Sequence, residues 1–368
     1  MYKKIIFIII SIIILSFSVT LIFKEKQEFS ANENRYLTTE INFTMDKLLD
    51  GTFIKNVENY LTDQFPLREK FLSLNTNFKR LLGLKDINNV YISNNEYLIE
   101  KYNDPINNDK IIKVINDLTG KLNYVNFNLM LVPTSIEINN ELLPKNAITA
   151  KQKKNIDYIY KNVNTNTINL YDTLKENNKN YPMFYRLDHH WTSYGAYYSY
   201  VEFAKNNDLY YSSLAKYDIK MMSDDFNGTL YSKTNYYNYK PDKIHKFELG
   251  AEKLEVDYQT KKTNTLYSEK YLSEKDKYSY FLNNNHPLIV ITNKSINDDD
   301  EIIILKDSYA NCFIPFLTTH YKKIHVIDPR FYKYSISDYV LKNKKIKDGL
   351  ILYNMQTIDE DTGVLSIK

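Results

Sequence analysis

The sequence predicts an α/β fold tethered by one membrane-spanning helix, and three observations lead there. Short apolar runs alternate with amphipathic stretches along most of the chain. One long uncharged run stands near the N-terminus. The densest group of chemistry-bearing residues falls where an apolar run gives way to a helical pattern, as catalytic loops do in α/β sheets. With 368 residues, 43% of them hydrophobic and 25% charged, the chain can bury a sizeable core, and its length suggests two domains. The 48 Lys plus Arg and 45 Asp plus Glu leave a net charge of +3, with both signs interspersed, which excludes the basic stripe of a nucleic-acid binder. A single cysteine, Cys312, excludes an intramolecular disulfide framework and a Cys-rich zinc site. The 8 glycines form no phosphate-cradling loop, so nucleotide binding is excluded and no cofactor is expected.

The elements follow in order. Ile5 to Phe23 carries no charge and makes about 28 Å of helix, enough for a hydrocarbon core of roughly 30 Å. Lys24-Glu25-Lys26-Gln27 follows directly, where a cleavable signal would carry small residues; the run reads as a signal anchor, with a cleaved signal as the alternative. Lys3 and Lys4 oppose Lys24 and Lys26, and the amino terminus tips the balance toward a cytoplasmic tail with the rest of the chain outside. A nearly Cys-free external domain suits a bacterial cell surface.

Residues 24–85 read as a stalk and helical entry segment. Glu33-Asn34-Arg35-Tyr36-Leu37 is polar; Leu48, Leu49, Phe53, Val57, Tyr60 and Leu61 then recur at helical spacing. Asp63-Gln64-Phe65-Pro66 ends that helix, and another runs from Leu67 to about Leu82. Residues 86–368 read as the catalytic domain. Strands are expected at Val90–Ile92, Phe127–Val132, Ile168–Tyr171, Phe184–Leu187, Ile302–Leu305, Ile324–Ile327 and Gly349–Tyr353. Helices are expected at Lys110–Leu122, Lys151–Val163, Ser193–Lys205 and from Ala310. Around 221–286, Tyr-rich segments such as Tyr236-Tyr237-Asn238-Tyr239 and the alternating Lys253–Tyr258 read as an antiparallel insertion. The 34 tyrosines follow from a skewed composition, or serve a sugar-binding surface.

The chemistry concentrates in Arg186-Leu187-Asp188-His189-His190-Trp191-Thr192. In an extended segment residues i and i+2 share a face, which brings Asp188 beside His190 and turns His189 away. A carboxylate beside an imidazole fixes its tautomer and stabilises the imidazolium formed on proton transfer. In Glu301–Asn311 a buried strand runs into the polar turn Lys306-Asp307-Ser308 and then a helical pattern, placing Ser308 near a helix N-terminus where backbone N–H groups favour negative charge. The plainer readings are a hydrogen-bonded loop histidine, and Asp307 or Ser308 as a helix cap. Asn354 and Arg330, each after a strand, are candidates for oxyanion stabilisation or substrate orientation; His189 and Trp191 are taken as supporting residues, and Cys312 as a small buried hydrophobe.

Asp188-His189-His190-Trp191, followed by Lys306-Asp307-Ser308-Tyr309 and Asp328-Pro329-Arg330, resembles the bacterial DHHW family, related to the AlgJ and AlgX alginate O-acetyltransferase proteins with an SGNH-hydrolase-like domain. Glu33-Asn34-Arg35, Asp63-Gln64-Phe65-Pro66 and Phe226-Asn227-Gly228-Thr229-Leu230-Tyr231 extend the likeness over most of the chain. The resemblance implies a flavodoxin-like three-layer fold with permuted motif order and a triad of Asp188, His190 and Ser308. It also implies a multipass membrane-bound O-acyltransferase as acetyl supplier and a polysaccharide acceptor. No AlgX-type carbohydrate-binding module is matched, so the resemblance puts sugar binding on the catalytic domain or its insertion.

The leading expectation is an extracellular polysaccharide O-acetyltransferase working through an acetyl-serine. The same triad serves a carbohydrate acetylesterase when water is the acceptor, and a non-catalytic glycan-binding or scaffold protein is the third reading. A metal site at Asp188-His189-His190 is disfavoured because the N-terminal region is the apolar run rather than a set of Asp-rich motifs. A palmitoyltransferase is excluded because Trp191 stands where its signature needs Cys.

Overall fold

A computed structural model describes the chain except residues 1, 31, 32, 34, 94, 237, 251, 361, 366 and 368; Asn34 and Tyr237 of the segments above therefore lie outside the described residues. The chain divides into two compact units: Met1–Asn88 with Tyr231–Tyr239, and Asn89–Leu230 with Lys240–Lys368.

In the first unit an α-helix spans Tyr2–Phe23, none of it buried, and it is long and apolar enough to cross a membrane. Helices Thr52–Asp63 and Arg68–Leu81 flank Pro66, the expected break. The Glu33–Arg35 and Asp63–Pro66 motifs meet here. Arg35 pairs with both Asp63 and Glu33, Glu33 also binds Arg68, and Asp63 Oδ2 accepts the Thr38 N–H at 2.9 Å. The side chain of Gln64 closes the same junction by exchanging hydrogen bonds with the Gln27 backbone, both at 3.0 Å. Tyr231–Tyr239, read from sequence as insertion, groups with this unit: Thr76 Oγ1 donates to the Thr234 carbonyl at 2.8 Å, and the Arg80 guanidinium lies 3.8 Å from the Tyr236 ring centre.

The second unit is built on an eight-stranded mixed sheet. Its strands, numbered in chain order, are β1 (Asn126–Val132), β2 (Asn166–Thr167), β3 (Leu254–Asp257), β4 (Lys262–Thr263), β5 (Leu288–Asn293), β6 (Glu301–Lys306), β7 (Lys323–Ile327) and β8 (Ile346–Asn354). Their spatial order is β4-β3-β5-β7-β6-β8-β1-β2. From β7 through β2 neighbouring strands run parallel, and β5, β3 and β4 extend the other edge antiparallel. Both faces are buried, as the period of two dictates. Ile302 and Ile304 enter one apolar cluster with Tyr200 and Phe203 of helix Ser193–Asn206. Ile303 and Leu305 enter the other with residues of helices Asn108–Lys121 and Gln152–Asn162. This is the expected three-layer α/β arrangement. From β6 the chain goes first to β7 on one side and then to β8 on the other, so the end of β6 is a topological switch point, where α/β sheets place their crevices.

Five segments differ from expectation, each for a local reason. The helix read through Leu48–Leu61 is broken at Gly51, whose positive φ of 81° separates helix Met45–Leu49 from Thr52–Asp63. Ile168–Tyr171 is not a strand: pairing stops at Thr167, the Asn169 side chain accepts the Tyr171 N–H at 2.9 Å, and a short helix, Tyr171–Asn177, begins. Phe184–Leu187 is an irregular loop that meets Trp191 in one isolated bridge, held by Asp242 through Leu187 N–H (2.8 Å) and Arg186 Nε (3.1 Å). The helix expected from Ala310 is two 3₁₀ turns, Ser308–Cys312 and Ile314–Leu317; Pro315 has no N–H to continue an α-helical ladder. The insertion is antiparallel but split: Asp218–Phe226 pairs with Asp242–Glu248 as a separate ribbon, while β3 and β4 join the main sheet.

Gly349 in β8 lies opposite Phe127 in β1, and a Cβ there would stand 2.3 Å from the Phe127 ring. Gly349→Ala is expected to destabilise this unit by about 1–3 kcal/mol through overpacking, read as a fall of several degrees in Tm by calorimetry.

Candidate active site

Ser308 stands two residues past the end of β6, after Asp307, and is the first residue of the 3₁₀ turn. The turn is pinned by its neighbour Asp307, fully buried, whose Oδ1 accepts the Tyr309 N–H at 2.8 Å and whose Oδ2 accepts the Asn354 backbone N–H at 2.8 Å and Nδ2 at 2.6 Å. Asp307 is therefore the cap, which leaves the Ser308 hydroxyl for another partner. Burial raises the Asp307 carboxyl to about 6 against the opposing pull of Arg330 and these N–H donors. Lys306, also fully buried, reaches Asn285 Oδ1 (2.8 Å), Asn311 Oδ1 (2.7 Å) and Asp328 Oδ2 (3.4 Å).

The partner of Ser308 is His190: Nε2 stands 2.8 Å from Ser308 Oγ, and Nδ1 stands 2.6 Å from Asp188 Oδ1. Asp188, His190 and Ser308 are thus in one hydrogen-bonded line, although 118 residues separate the histidine from the serine. Asp188 Oδ1 also accepts the His190 N–H at 3.0 Å. Its other oxygen, Oδ2, accepts the Thr229 N–H at 2.8 Å and hydroxyl at 3.0 Å. Burial alone would raise the Asp188 carboxyl, but His189, His190 and these hydrogen bonds outweigh it and hold the group well below the ordinary carboxylate range. For His190, burial and the neighbouring His189 prevail over the attraction of Asp188 and push the imidazole down to about 4. It is a neutral base at physiological pH.

His189 does not point away as an extended strand would require. Residues 186–190 form bends, and the His189 ring lies 3.9 Å, centre to centre, from that of His190, with Nδ1 2.6 Å from Thr229 Oγ1. Since the Thr229 hydroxyl donates to Asp188, it accepts from His189. Trp191 is buried and donates its indole N–H to the Tyr309 carbonyl at 2.8 Å. Asn354 is buried with its amide group given to Asp307 and, at 2.7 Å, to Thr357 Oγ1, so it braces the turn rather than offering donors to a substrate. Arg330 clasps Asp328 with Nε and Nη2 at 2.8 and 2.7 Å, which orients the loop after β7. Cys312 is buried, and burial pushes its thiol up to about 12, away from nucleophilic chemistry.

Two further contributors emerge: Tyr278, which carries no signal legible in the sequence pattern, and Gly228, which lies in a motif quoted above without a role of its own. The Tyr278 ring stacks on His190 at 3.6 Å and 11°, and its hydroxyl donates toward the Ser308 carbonyl at 3.1 Å. Gly228 lies so close to Asp188 that a Cβ would fall 2.3 Å from the aspartate Cβ, which gives the glycine of the Phe226–Tyr231 motif a steric reason. Ligand atoms of Asp188, His189 and His190 lie within 4.8 Å of one another. Both ring nitrogens of His190 are, however, engaged by Asp188 and Ser308, so this trio fits proton transfer better than metal ligation.

The DHHW protein family matches residues 86–327, about two thirds of the chain, and the chain belongs to that family. Among solved structures, a DHHW family protein from Eubacterium siraeum is 22% identical with a TM-score of 0.66, covering 74% of this chain and 92% of its own. Bacillus cereus PatB1, solved with a sulfonyl adduct, is 20% identical with a TM-score of 0.63, covering 76% and 98%. The O-acetyltransferase domain of Pseudomonas putida AlgJ is 13% identical with a TM-score of 0.46, covering 73% and 92%. The first two share the fold. No curated protein matches.

The hydroxyl in this line should react selectively. Phenylmethylsulfonyl fluoride followed by mass spectrometry is expected to place one sulfonyl group on Ser308 and none in Ser308→Ala. His190→Ala should slow labelling by about 10²-fold, and Gly228→Ala should slow it through displacement of Asp188.

Proposed function

We propose that the chain is an O-acetyltransferase that esterifies hydroxyl groups of an extracellular polysaccharide through an acetyl-serine intermediate. The observation that carries this reading is the His190 imidazole bridging Asp188 and Ser308 at 2.6 and 2.8 Å. His190 Nε2 takes the Ser308 proton as Oγ attacks the acetyl carbonyl, and then gives it to the departing donor group. A sugar hydroxyl next loses its proton to His190, attacks the acyl carbon and releases Ser308, which recovers the proton. Asp188 holds Nδ1–H throughout and balances the imidazolium. With Asn354 and Arg330 engaged elsewhere, the Ser308 backbone N–H is the proposed first donor to the oxyanion.

Membership of the DHHW family and the apolar helix Tyr2–Phe23 support a site held at a membrane, facing outward in this reading. Acetyl-coenzyme A is a cytoplasmic donor, so the acetyl group must be handed across the membrane; a multipass O-acyltransferase is the partner proposed. The esterase differs only in using water as acceptor. The full-length chain supplied with an acetyl-phenyl ester and neutral oligosaccharides distinguishes them: acetylated sugar supports transfer, while acetate release unaffected by the sugars would replace it with hydrolysis. Ser308→Ala should lower either activity at least about 10³-fold; unchanged acetylation of the polymer in cells carrying that variant would point to the scaffold reading.

The pH profile follows from His190. A base whose folded-state pKa lies below the ordinary 6.5 stays unprotonated as pH falls through 6.5, and its activity is lost only as pH approaches that lower value. The acidic limb of kcat/KM against pH is expected well below 6.5.

A further inference from the structure

Helix Arg68–Leu81 of the first unit presents an apolar stripe outward. Phe71, Leu74, Phe78 and Leu81 are 45%, 63%, 57% and 82% exposed. Their spacing of three, four and three residues puts them in one sector of a helix with 3.6 residues per turn. The roll of the helix is fixed from the other side. Thr76, about half a turn round from the stripe and buried, donates to the Thr234 carbonyl at 2.8 Å, and the Arg80 guanidinium lies 3.8 Å from the Tyr236 ring centre. The stripe is thus held facing away from the segment that the helix packs on, and an apolar face of this kind calls for a covering partner.

The neighbouring apolar helix says what the partner is. The Phe71 ring lies 6.0 Å from that of Phe17 in helix Tyr2–Phe23, and Phe65 stacks on the same Phe17 ring at 5.1 Å. Gln64, paired with the Gln27 backbone, ties the start of helix Arg68–Leu81 to the chain just past Phe23. Phe17 stands about 9 Å along its helix from the end at Phe23, at 1.5 Å per residue. Where helix Tyr2–Phe23 crosses a bilayer, its contact with Phe71 therefore falls at the depth of roughly 5–10 Å to which interfacial helices bury their apolar faces. Lys70 and Lys79 flank the stripe, as lysines flank such faces. The same spacing would suit a seam with a second copy, but it lasts less than two heptads, short of the three or four that mark a coiled coil. We propose that the stripe lies in the boundary between lipid headgroups and acyl chains, so that the first unit holds the membrane by a crossing helix and by a second helix lying flat beside it. A second contact restrains the tilting that a single crossing helix allows. The proposal rests on helix Tyr2–Phe23 entering the bilayer and is independent of the chemistry at Ser308.

Nitroxide labelling of the full-length chain in nanodiscs of phosphatidylcholine and phosphatidylglycerol tests it. Leu74→Cys and Phe78→Cys place labels on the stripe, Lys79→Cys places one off it, and Val19→Cys marks the crossing helix; the wild type, whose one thiol is buried, serves as the blank. The ratio of oxygen to nickel-chelate collision rates should be about five-fold or more higher at 74 and 78 than at 79, and should approach that at 19. Water-like ratios at 74 and 78 beside a lipid-like ratio at 19 would overturn the proposal and leave the crossing helix standing. A water-like ratio at 19 as well would remove the crossing helix on which it rests. Dipolar broadening between stripe labels would give the face to a second copy instead, and a ratio at 79 as high as at 74 and 78 would rule out a helix lying flat.

Discussion

A carboxylate sealed at the end of a buried strand must find donors for both of its oxygens, and Asp307 finds them in the backbone on either side of it. It ties the turn after β6 to the end of β8, and so fixes where the next residue, Ser308, projects. The alternation of the strand sends Lys306 to the other side, where Asp328 and two asparagine oxygens receive it. Lys306 and Asp307 thus each have their own set of hydrogen-bond partners. Removing one partner of a buried ion pair such as Lys306 with Asp328 typically costs about 3–5 kcal/mol.

On the opposite side of the hydroxyl, the two oxygens of Asp188 divide their tasks. One holds the His190 ring and backbone, and the other is anchored by Thr229. Tyr278 covers the ring face and touches the serine's own carbonyl, so imidazole and turn are bridged by one side chain. The imidazole is therefore positioned by hydrogen bonds at both nitrogens and by stacking on its face. Such preorganisation avoids reorienting dipoles when charge develops.

Much of this was legible along the chain because it depends on local periodicity. Helices Asn108–Lys121, Gln152–Asn162 and Ser193–Asn206 and strands β1, β6, β7 and β8 follow from apolar spacing within a residue or two at most ends. The pairing of Asp188 with His190 was legible because it spans two residues. His189 was misplaced because the i, i+2 rule holds only for extended backbone, and Asp242, far along the chain, bends this loop instead. The turns after Ser308 were read as an α-helix from their apolar pattern, although Pro315 argued against it. Tyr278 had no readable signal among 34 tyrosines, because its position over His190 is set by tertiary packing alone.

Trp191 is the chain's sole indole, and its N–H is fastened to the carbonyl of the residue immediately after Ser308. Nature has in effect installed an optical gauge beside the reactive hydroxyl. Excitation at the red edge of the protein's absorption, where tyrosine is silent, isolates this fluorophore despite the abundance of phenol rings. Any acylation or conformational shift that disturbs the turn reaches it through one hydrogen bond, so occupancy of the serine is open to stopped-flow fluorimetry without a label.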